Sequence, residues 1–286
     1  MGNQRSPHSA LFLRGEFSMN AKLDKLRSKA QRGSKPRCHW LTHGTKDLVA
    51  SRLTELAAPF ARVTHNDRWM PDGFDNTMEA QLDKGTLLPD LVRSELRLWW
   101  LSASATGREI TPNFDVASTC FVDDRPGILL VEAKAHDQEL IKEAIGRKLD
   151  ANCSPERRAS HAPIGTAIDT ACEALSAATT KTWRISRDRN YQMSNRFAWA
   201  WKLASLGFPV VLIYLGYLRA QEMNDRGVPL ADNADWKQLV ENHSAELMPA
   251  GVWNERWTVN GTPLIPLIRS VEISHAQPIT DFAVRM

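Results

Sequence analysis

Residues 112–136 of this 286-residue chain read P-N-F-D-V-A-S-T-C-F-V-D-D-R-P-G-I-L-L-V-E-A-K-A-H. Two runs rich in apolar and β-branched residues flank the turn-forming residues 123–127, and this pattern predicts a β-hairpin. The second run, residues 128–131, is continuously apolar, as in a strand that is covered on both faces. It leads directly into the charged residues 132–136, and their position at the end of a buried strand calls for an explanation.

The charged end of the predicted hairpin brings three ionisable side chains together. Side chains alternate along a strand, so Glu132 and Lys134 share one face. The predicted turn pairs Val122 with Gly127. In that register Asp115 lies opposite Lys134 and diagonal to Glu132, at Cβ separations of about 5 Å and about 7–8 Å respectively. A slip of one residue would move Asp115 to the other face of the sheet.

Two carboxylates and an ammonium group at this spacing suit phosphoryl chemistry. Mg²⁺ takes oxygen ligands and keeps several waters for a substrate phosphate. The ion polarises a phosphoryl oxygen and acidifies a bound water, which a neighbouring lysine can orient. The alternative is an ion pair between Asp115 and Lys134 at the sheet edge, which contributes about 0–1 kcal/mol when it is exposed. An apolar run that ends in ionised groups favours the active site.

The pattern resembles the PD-(D/E)XK nuclease superfamily, which has the restriction-endonuclease-like fold. Its signature is an Asp that opens one strand and Glu-X-Lys on the next. Here Pro112-Asn113-Phe114-Asp115 corresponds to the first half and Glu132-Ala133-Lys134 to the second, without the literal Pro-Asp dipeptide. The resemblance covers roughly residues 88–218. It implies an α/β fold, with a mixed central sheet that contains the catalytic β-hairpin and is flanked by helices.

The resemblance also implies an activity and roles for individual residues. We expect a Mg²⁺-dependent endonuclease, with Mn²⁺ as a substitute, that hydrolyses DNA phosphodiester bonds and leaves 5′-phosphate ends. Asp115 and Glu132 would hold the metal, helped by the backbone carbonyl of Ala133. Lys134 would position the attacking water.

Helices are predicted for residues 138–149 and 163–178, and a further helix, predicted for residues 190–203, extends the resemblance. It leads to a buried apolar strand, which in this superfamily lies parallel to the Glu-X-Lys strand. Some members carry a glutamine at the start of this helix near the metal, and Gln192 has that position. Tyr191 and Arg196 are candidate nucleic-acid contacts, because polar groups at a helix N-terminus suit anions. For Arg196 the alternative is a surface salt bridge.

Some members of the superfamily have an extra acidic metal ligand on the helix before the hairpin. In the helix predicted for residues 89–101, Glu95 interrupts an apolar stripe, and a buried carboxylate is costly unless it is paired or bound to a metal. Glu79, on a preceding stretch predicted as helical, competes for this role. The plainer alternative for Glu95 is a bond to an arginine or tryptophan at the edge of the stripe.

Positive charge is concentrated near the start of the chain. Residues 1–64 contain twelve Lys and Arg against four Asp and Glu, whereas the whole chain has a formal net charge of only +3. Such a segment suits a phosphate backbone, and a solvated basic tail is the alternative. We predict a basic helical extension over residues 1–64, disordered over residues 1–20, with a helix at 21–31 that stops before Gly33 and Pro36. Residues 65–286 are predicted to form the nuclease-like domain.

Other features narrow the classes of protein. The four cysteines show no paired spacing and no histidine at zinc spacing, which indicates free thiols and a cytoplasmic protein. The apolar stretch 206–218 is too short to span a bilayer, so no membrane partner is expected. A homodimer stays open. Three functional alternatives also remain: an RNA- or structure-specific nuclease, a non-catalytic nucleic-acid-binding protein with the same fold, and a purely structural hairpin.

Overall fold

The computed structural model describes residues 21–101, 111–150 and 152–286, so the disorder predicted for residues 1–20 lies outside the described residues. The helices are α1 (Ser34–Leu41), α2 (Lys46–Ala57), α3 (Asp90–Leu101), α4 (Gln138–Ile141), α5 (Pro155–Thr179), α6 (Tyr191–Ser205) and α7 (Asn233–Ser244). The strands are β1 (Trp69–Met70), β2 (Ala80–Gln81), β3 (Asn113–Phe114), β4 (Val116–Val122), β5 (Arg125–Lys134), β6 (Val210–Tyr217), β7 (Trp257–Val259) and β8 (Thr262–Val271). Short 3₁₀ turns occur at Ser28–Ala30, Lys142–Ile145 and Gln221–Met223.

Six strands form one mixed sheet in the order β1-β4-β5-β6-β8-β7. The hairpin strands β4 and β5 are antiparallel, whereas β5, β6 and β8 run parallel to one another. A separate two-stranded ribbon pairs β2 with β3. The predicted α/β class, a mixed central sheet flanked by helices, is therefore confirmed.

Strand β5 is buried on both faces, as its continuous apolar run predicts. Ile128 and Leu130 belong to a core formed with helices α3, α5, α6 and α7. Leu129 and Val131 belong to the opposite core, which includes residues of α1 and α2. The basic N-terminal segment thus supplies a helical layer on one face of the sheet. No helix in the described part of the chain combines the length and the apolar character needed to cross a bilayer.

The predicted register of the hairpin is wrong by two residues. Val122 pairs with Arg125 rather than with Gly127, because the chain reverses through a tight two-residue turn. Asp123 and Asp124 adopt φ angles of 48° and 60°, as residues of a type I′ turn do.

This correction changes which residues face one another but preserves the faces of the sheet. The ladder ends with Val116 opposite Val131, so Asp115 lies next to Glu132, not opposite Lys134. A shift of two residues keeps every side chain on its predicted side.

Several helices also differ from prediction. The continuous helix predicted for residues 21–31 is wrong, because only residues 21–23 are α-helical and a 3₁₀ turn follows at Ser28–Ala30. Helix α1 begins immediately after Gly33, whose φ of 77° suits a glycine, and Pro36 falls in the first turn, where backbone N–H groups have no intrahelical partner. Helix α5 begins at Pro155 rather than near residue 163, because the Ser154 side chain accepts a hydrogen bond from the Arg157 N–H. The helix predicted for residues 138–149 is reduced to α4 and a 3₁₀ turn.

Candidate active site

The centre of the site is Lys134, at the C-terminal end of β5. Its side chain is only 6% exposed, and Nζ lies 2.7 Å from Glu132 Oε1 and 2.9 Å from Glu143 Oε1. Nζ also donates a 2.8 Å hydrogen bond to Gln192 Oε1, which α6 presents from its first turn. Burial disfavours the ammonium ion, but the two glutamates raise the pKa of Lys134 above its usual value. The ammonium group is therefore held in place by three oxygens.

Glu132 is paired on its other side with Arg196. The Arg196 Nε lies 2.6 Å from Glu132 Oε2, and both side chains are almost fully buried. The remaining donors of the guanidinium bond to Asn195 Oδ1 and to the carbonyl of Asn113, and its plane lies over the Phe114 ring. Burial opposes ionisation of Glu132, but Arg196 and Lys134 hold its pKa below the usual range.

Asp115 occupies the break between β3 and β4. Its Oδ2 accepts a 2.8 Å hydrogen bond from the N–H of Ala133, at the edge of β5 that β4 no longer covers. Since the N–H and C=O of one residue point to the same side of a strand, the Ala133 carbonyl faces this edge as well. Burial, and next the charge of Glu132, raise the pKa of Asp115 to about 8. Its Oδ1 has no hydrogen-bond partner among the described residues.

Glu79 joins the site through the pairing of β2 with β3. It directly precedes β2, and its Oε2 accepts a 2.8 Å hydrogen bond from the Asn113 side chain. Its Oε1 lies 2.7 Å from Lys35 Nζ in α1. Although burial acts in the opposite direction, these two partners lower the pKa of Glu79. Glu79 and Asp115 line the same cleft.

Three adjoining clefts surround these residues. The first has a volume of about 470 Å³ and is lined by Glu79, Asp115, Arg147, Tyr191, Gln192 and Arg196, among others. The second, of about 680 Å³, shares Gln192 with the first and reaches Lys134. The third, of about 480 Å³, shares Glu79 with the first and Lys35 with the second. The charged groups of the site are therefore bordered by three open clefts.

The carboxylates of the site outnumber the cations paired with them when all of these groups are ionised. Its carboxylates are Glu79, Asp115, Glu132 and Glu143, and its cations are Lys35, Lys134 and Arg196. With these seven groups ionised the sum is one negative charge. Arg147, which also lines the first cleft, is bonded to Tyr191 and Ser160 rather than to these carboxylates. Burial, and next the charge of Glu132, make Asp115 the group that resists ionisation. The described residues contain no group of three or more His, Cys, Asp and Glu side chains that could hold a metal ion. A divalent ion would therefore depend on the Asp115 and Glu132 oxygens, the Ala133 carbonyl and water, a donor set that fits Mg²⁺.

The structure separates the two candidates for an additional acidic ligand. Glu95 is 48% exposed and forms a 2.7 Å ion pair with Lys202, instead of a bond to arginine or tryptophan. It does not line any of the three clefts. Glu79, the competing candidate, lies beside Asp115, although on a loop and strand rather than on a helix.

The predicted nucleic-acid contacts have different surroundings. Tyr191 lines the first cleft, with its ring beneath the Arg147 guanidinium, 5.6 Å from the centroid. Arg196 is only 5% exposed, so its salt bridge with Glu132 is buried, unlike the surface salt bridge that was the alternative to a nucleic-acid contact. A contact between Arg196 and phosphate would require exchange of one of its bonds to protein.

Sequence reasoning missed Glu143, which lies in the 3₁₀ turn after α4 and contacts Lys134. Its Oε2 also lies 3.4 Å from His243 Nε2 of α7. The only available signal was an acidic residue soon after the charged end of β5, and many surface turns share it.

Comparison of the chain with protein-family models, with curated proteins and with solved structures finds no match. The candidate active site is therefore defined by its own geometry.

Proposed function

We propose that this protein is a metal-dependent nuclease that hydrolyses DNA phosphodiester bonds, with Mg²⁺ as the ion and Mn²⁺ as a substitute. The observation that carries the proposal is the arrangement of Lys134. Its ammonium group is fixed by Glu132 and Gln192 at the strand end where Asp115 presents a carboxylate. This arrangement corresponds to the roles that the PD-(D/E)XK pattern implies.

The sheet topology supports the same proposal. The Glu-X-Lys strand β5 is antiparallel to β4 and parallel to β6. Helix α6 directly precedes β6 and delivers Gln192 to Lys134. Both relations are expected of a restriction-endonuclease-like core.

Each side chain then has a defined task. Asp115 and Glu132, with the Ala133 carbonyl, would hold the ion, which supplies an acidified water and polarises the phosphoryl oxygen. Lys134 would orient that water and offset the negative charge that develops on the phosphoryl oxygens. Gln192 keeps the ammonium group in position, and Arg196 limits the rotation of Glu132. Glu79, rather than Glu95, is positioned as an additional acidic group.

A cleavage assay tests this proposal. Plasmid DNA, single-stranded DNA and RNA are incubated with the wild-type protein in Mg²⁺, Mn²⁺ or EDTA. We expect cleavage of DNA only with metal, and its loss in Asp115→Ala and Lys134→Ala. The matched controls are Asp24→Ala and Lys237→Ala, exposed residues outside the three clefts. Cleavage of RNA alone would change the substrate class, and metal-independent cleavage in all variants would contradict the proposal.

The second candidate is a nucleic-acid-binding protein that keeps the fold without catalysis. One observation favours it: both carboxylate oxygens of Glu132 are bonded to cations of the protein, Lys134 and Arg196. A metal would have to displace or share one of these bonds. If the wild-type protein binds DNA with the same affinity in Mg²⁺ and in EDTA and never cuts it, this candidate replaces the nuclease.

A further inference from the structure

The largest of the three clefts, about 680 Å³, has basic walls. Arg27 and Lys29 contribute from the segment before α1, Lys142 from the turn after α4, and Arg226 from the turn before α7. Lys134 also lines this cleft and connects it to the candidate active site. Segments far apart in sequence thus place positive charge around one recess.

These four basic side chains are exposed, and within the described ranges none of them has an ion pair or a side-chain hydrogen bond. Their neighbours differ, since Arg32 is paired with Asp225 and Lys35 with Glu79. The acidic residue that lines the cleft, Glu139, accepts a 2.6 Å hydrogen bond from the Ala135 N–H. The positive potential of the cleft is therefore largely uncompensated, which suits a polyanion.

The size of the cleft limits what the polyanion can be. A recess of this volume accommodates a ligand of drug size, comparable to one or two nucleotides. A segment of DNA duplex is larger than this recess, since its major groove alone is about 12 Å wide and about 8.5 Å deep. Lys134 is only 6% exposed, so a scissile phosphate has to approach it inside the recess. A single strand can do so because its backbone is narrow and flexible.

The basic cleft shares lining residues with each of the other two clefts. Arg27, Ala30 and Lys35 line both this cleft and the third one, while Gln192 lines both this cleft and the first. A strand that enters between the basic walls therefore reaches Lys134 and continues beside Gln192.

We propose that this basic cleft binds the phosphate backbone of a single nucleic-acid strand and delivers it to Lys134. The preferred substrate is then single-stranded or has a single-stranded tail. The proposal rests on the proposed nuclease function for its direction towards Lys134, but strand binding itself is measurable without catalysis.

The test measures binding of the full-length protein in EDTA by fluorescence anisotropy. The probes are a labelled single-stranded DNA 12-mer, the same sequence as a blunt duplex, and a mononucleotide. The variant Arg27→Glu/Lys29→Glu is compared with Arg68→Glu/Arg184→Glu, which makes the same charge change at exposed residues outside the three clefts. Circular dichroism checks that both variants are folded.

We expect the cleft variant to lose about tenfold or more in affinity for the single strand, and the control variant less than about twofold. If the four basic side chains contact four phosphates of the strand, the slope of log K against log salt concentration is about −2.8 for the wild type. The cleft variant loses two of these contacts, so its slope is about −1.4. Equal losses in both variants would refute the cleft as the binding surface. Blunt duplex bound as tightly as the single strand, or mononucleotide bound as tightly as the 12-mer, would refute the strand assignment.

The same reagents separate this inference from the proposed function. If the cleft variant binds weakly but the wild type never cuts in Mg²⁺ or Mn²⁺, strand binding stands and the nuclease proposal fails. If Asp115→Ala abolishes cleavage while the cleft variant binds and cuts like the wild type, the nuclease stands and the cleft proposal fails.

Discussion

Replacing Asp115 by asparagine should stabilise the metal-free protein while it abolishes cleavage. The carboxylate is half-buried beside Glu132, and its pKa is raised from 3.8 to about 8. An asparagine side chain at this position would remove the charge, and its amide oxygen could still accept the hydrogen bond from the Ala133 N–H. The substitution therefore removes the cost of ionisation with little change in shape.

The sign of the pH dependence follows from the raised pKa. The folded state holds the Asp115 proton more tightly than the unfolded chain does, so its contribution to stability is complete below pH 3.8 and is lost as the pH rises to about 8. A shift of about 4 pKa units corresponds to about 5–6 kcal/mol at most, at 1.36 kcal/mol per unit. Asp115 borders a cleft that water can enter, and the higher effective dielectric constant reduces the expected value to about 2 kcal/mol.

Urea denaturation in EDTA at several pH values tests this prediction. At pH 9 the free energy of unfolding of Asp115→Asn should exceed that of the wild type by about 2 kcal/mol, and the difference should vanish towards pH 4. The control Asp24→Asn, at an exposed residue, should follow the wild type at every pH. Saturating Mg²⁺ should narrow the difference, because a ligand that binds only the folded wild type stabilises it. A variant less stable than the wild type at pH 9 would refute the claim that the site contains an uncompensated carboxylate.

Three further experiments test separate parts of the site. Arg196→Met breaks the buried ion pair with Glu132, and should lower the free energy of unfolding by about 3 kcal/mol in chemical denaturation; no change would show that the pair is dispensable. In isothermal titration calorimetry, Glu79→Gln should weaken the affinity for Mn²⁺ by about tenfold, whereas Glu95→Gln should leave it unchanged. A larger loss of affinity in Glu95→Gln than in Glu79→Gln would identify Glu95 as the ligand. Gln192→Ala should slow DNA cleavage by about 10–100-fold, with a loss of stability of only about 1 kcal/mol; unaltered cleavage would contradict its positioning role.

Local patterns in the sequence predict the central part of this fold well. The apolar run of β5 predicts a strand covered on both faces because only such a strand has no polar side to expose, and Leu129 and Leu130 are both fully buried. Gln192 can be located from the sequence because the helix that begins beside it carries a long apolar pattern.

Other features depend on interactions that a local pattern does not contain. The register of the hairpin depends on whether Asp123 and Asp124 adopt positive φ angles, which aspartate tolerates but does not require. Glu79 approaches Asp115 only through the pairing of two very short strands. Glu143 contacts Lys134 because a helix that is predicted to continue ends instead in a 3₁₀ turn.

The charge balance of the site is compatible with both proposed functions but favours the nuclease. A structural network of buried charges is expected to be neutral, because every unpaired charge costs free energy. Ionisation of all the carboxylates of this site and of the cations paired with them would leave one negative charge, and Asp115, whose pKa is raised to about 8 and whose Oδ1 has no partner among the described residues, resists carrying it. A divalent cation would bring the sum to one positive charge, and a substrate phosphodiester would then neutralise it. The negative charge that Asp115 resists carrying in the metal-free protein is therefore the one that binding of metal and phosphate together would compensate.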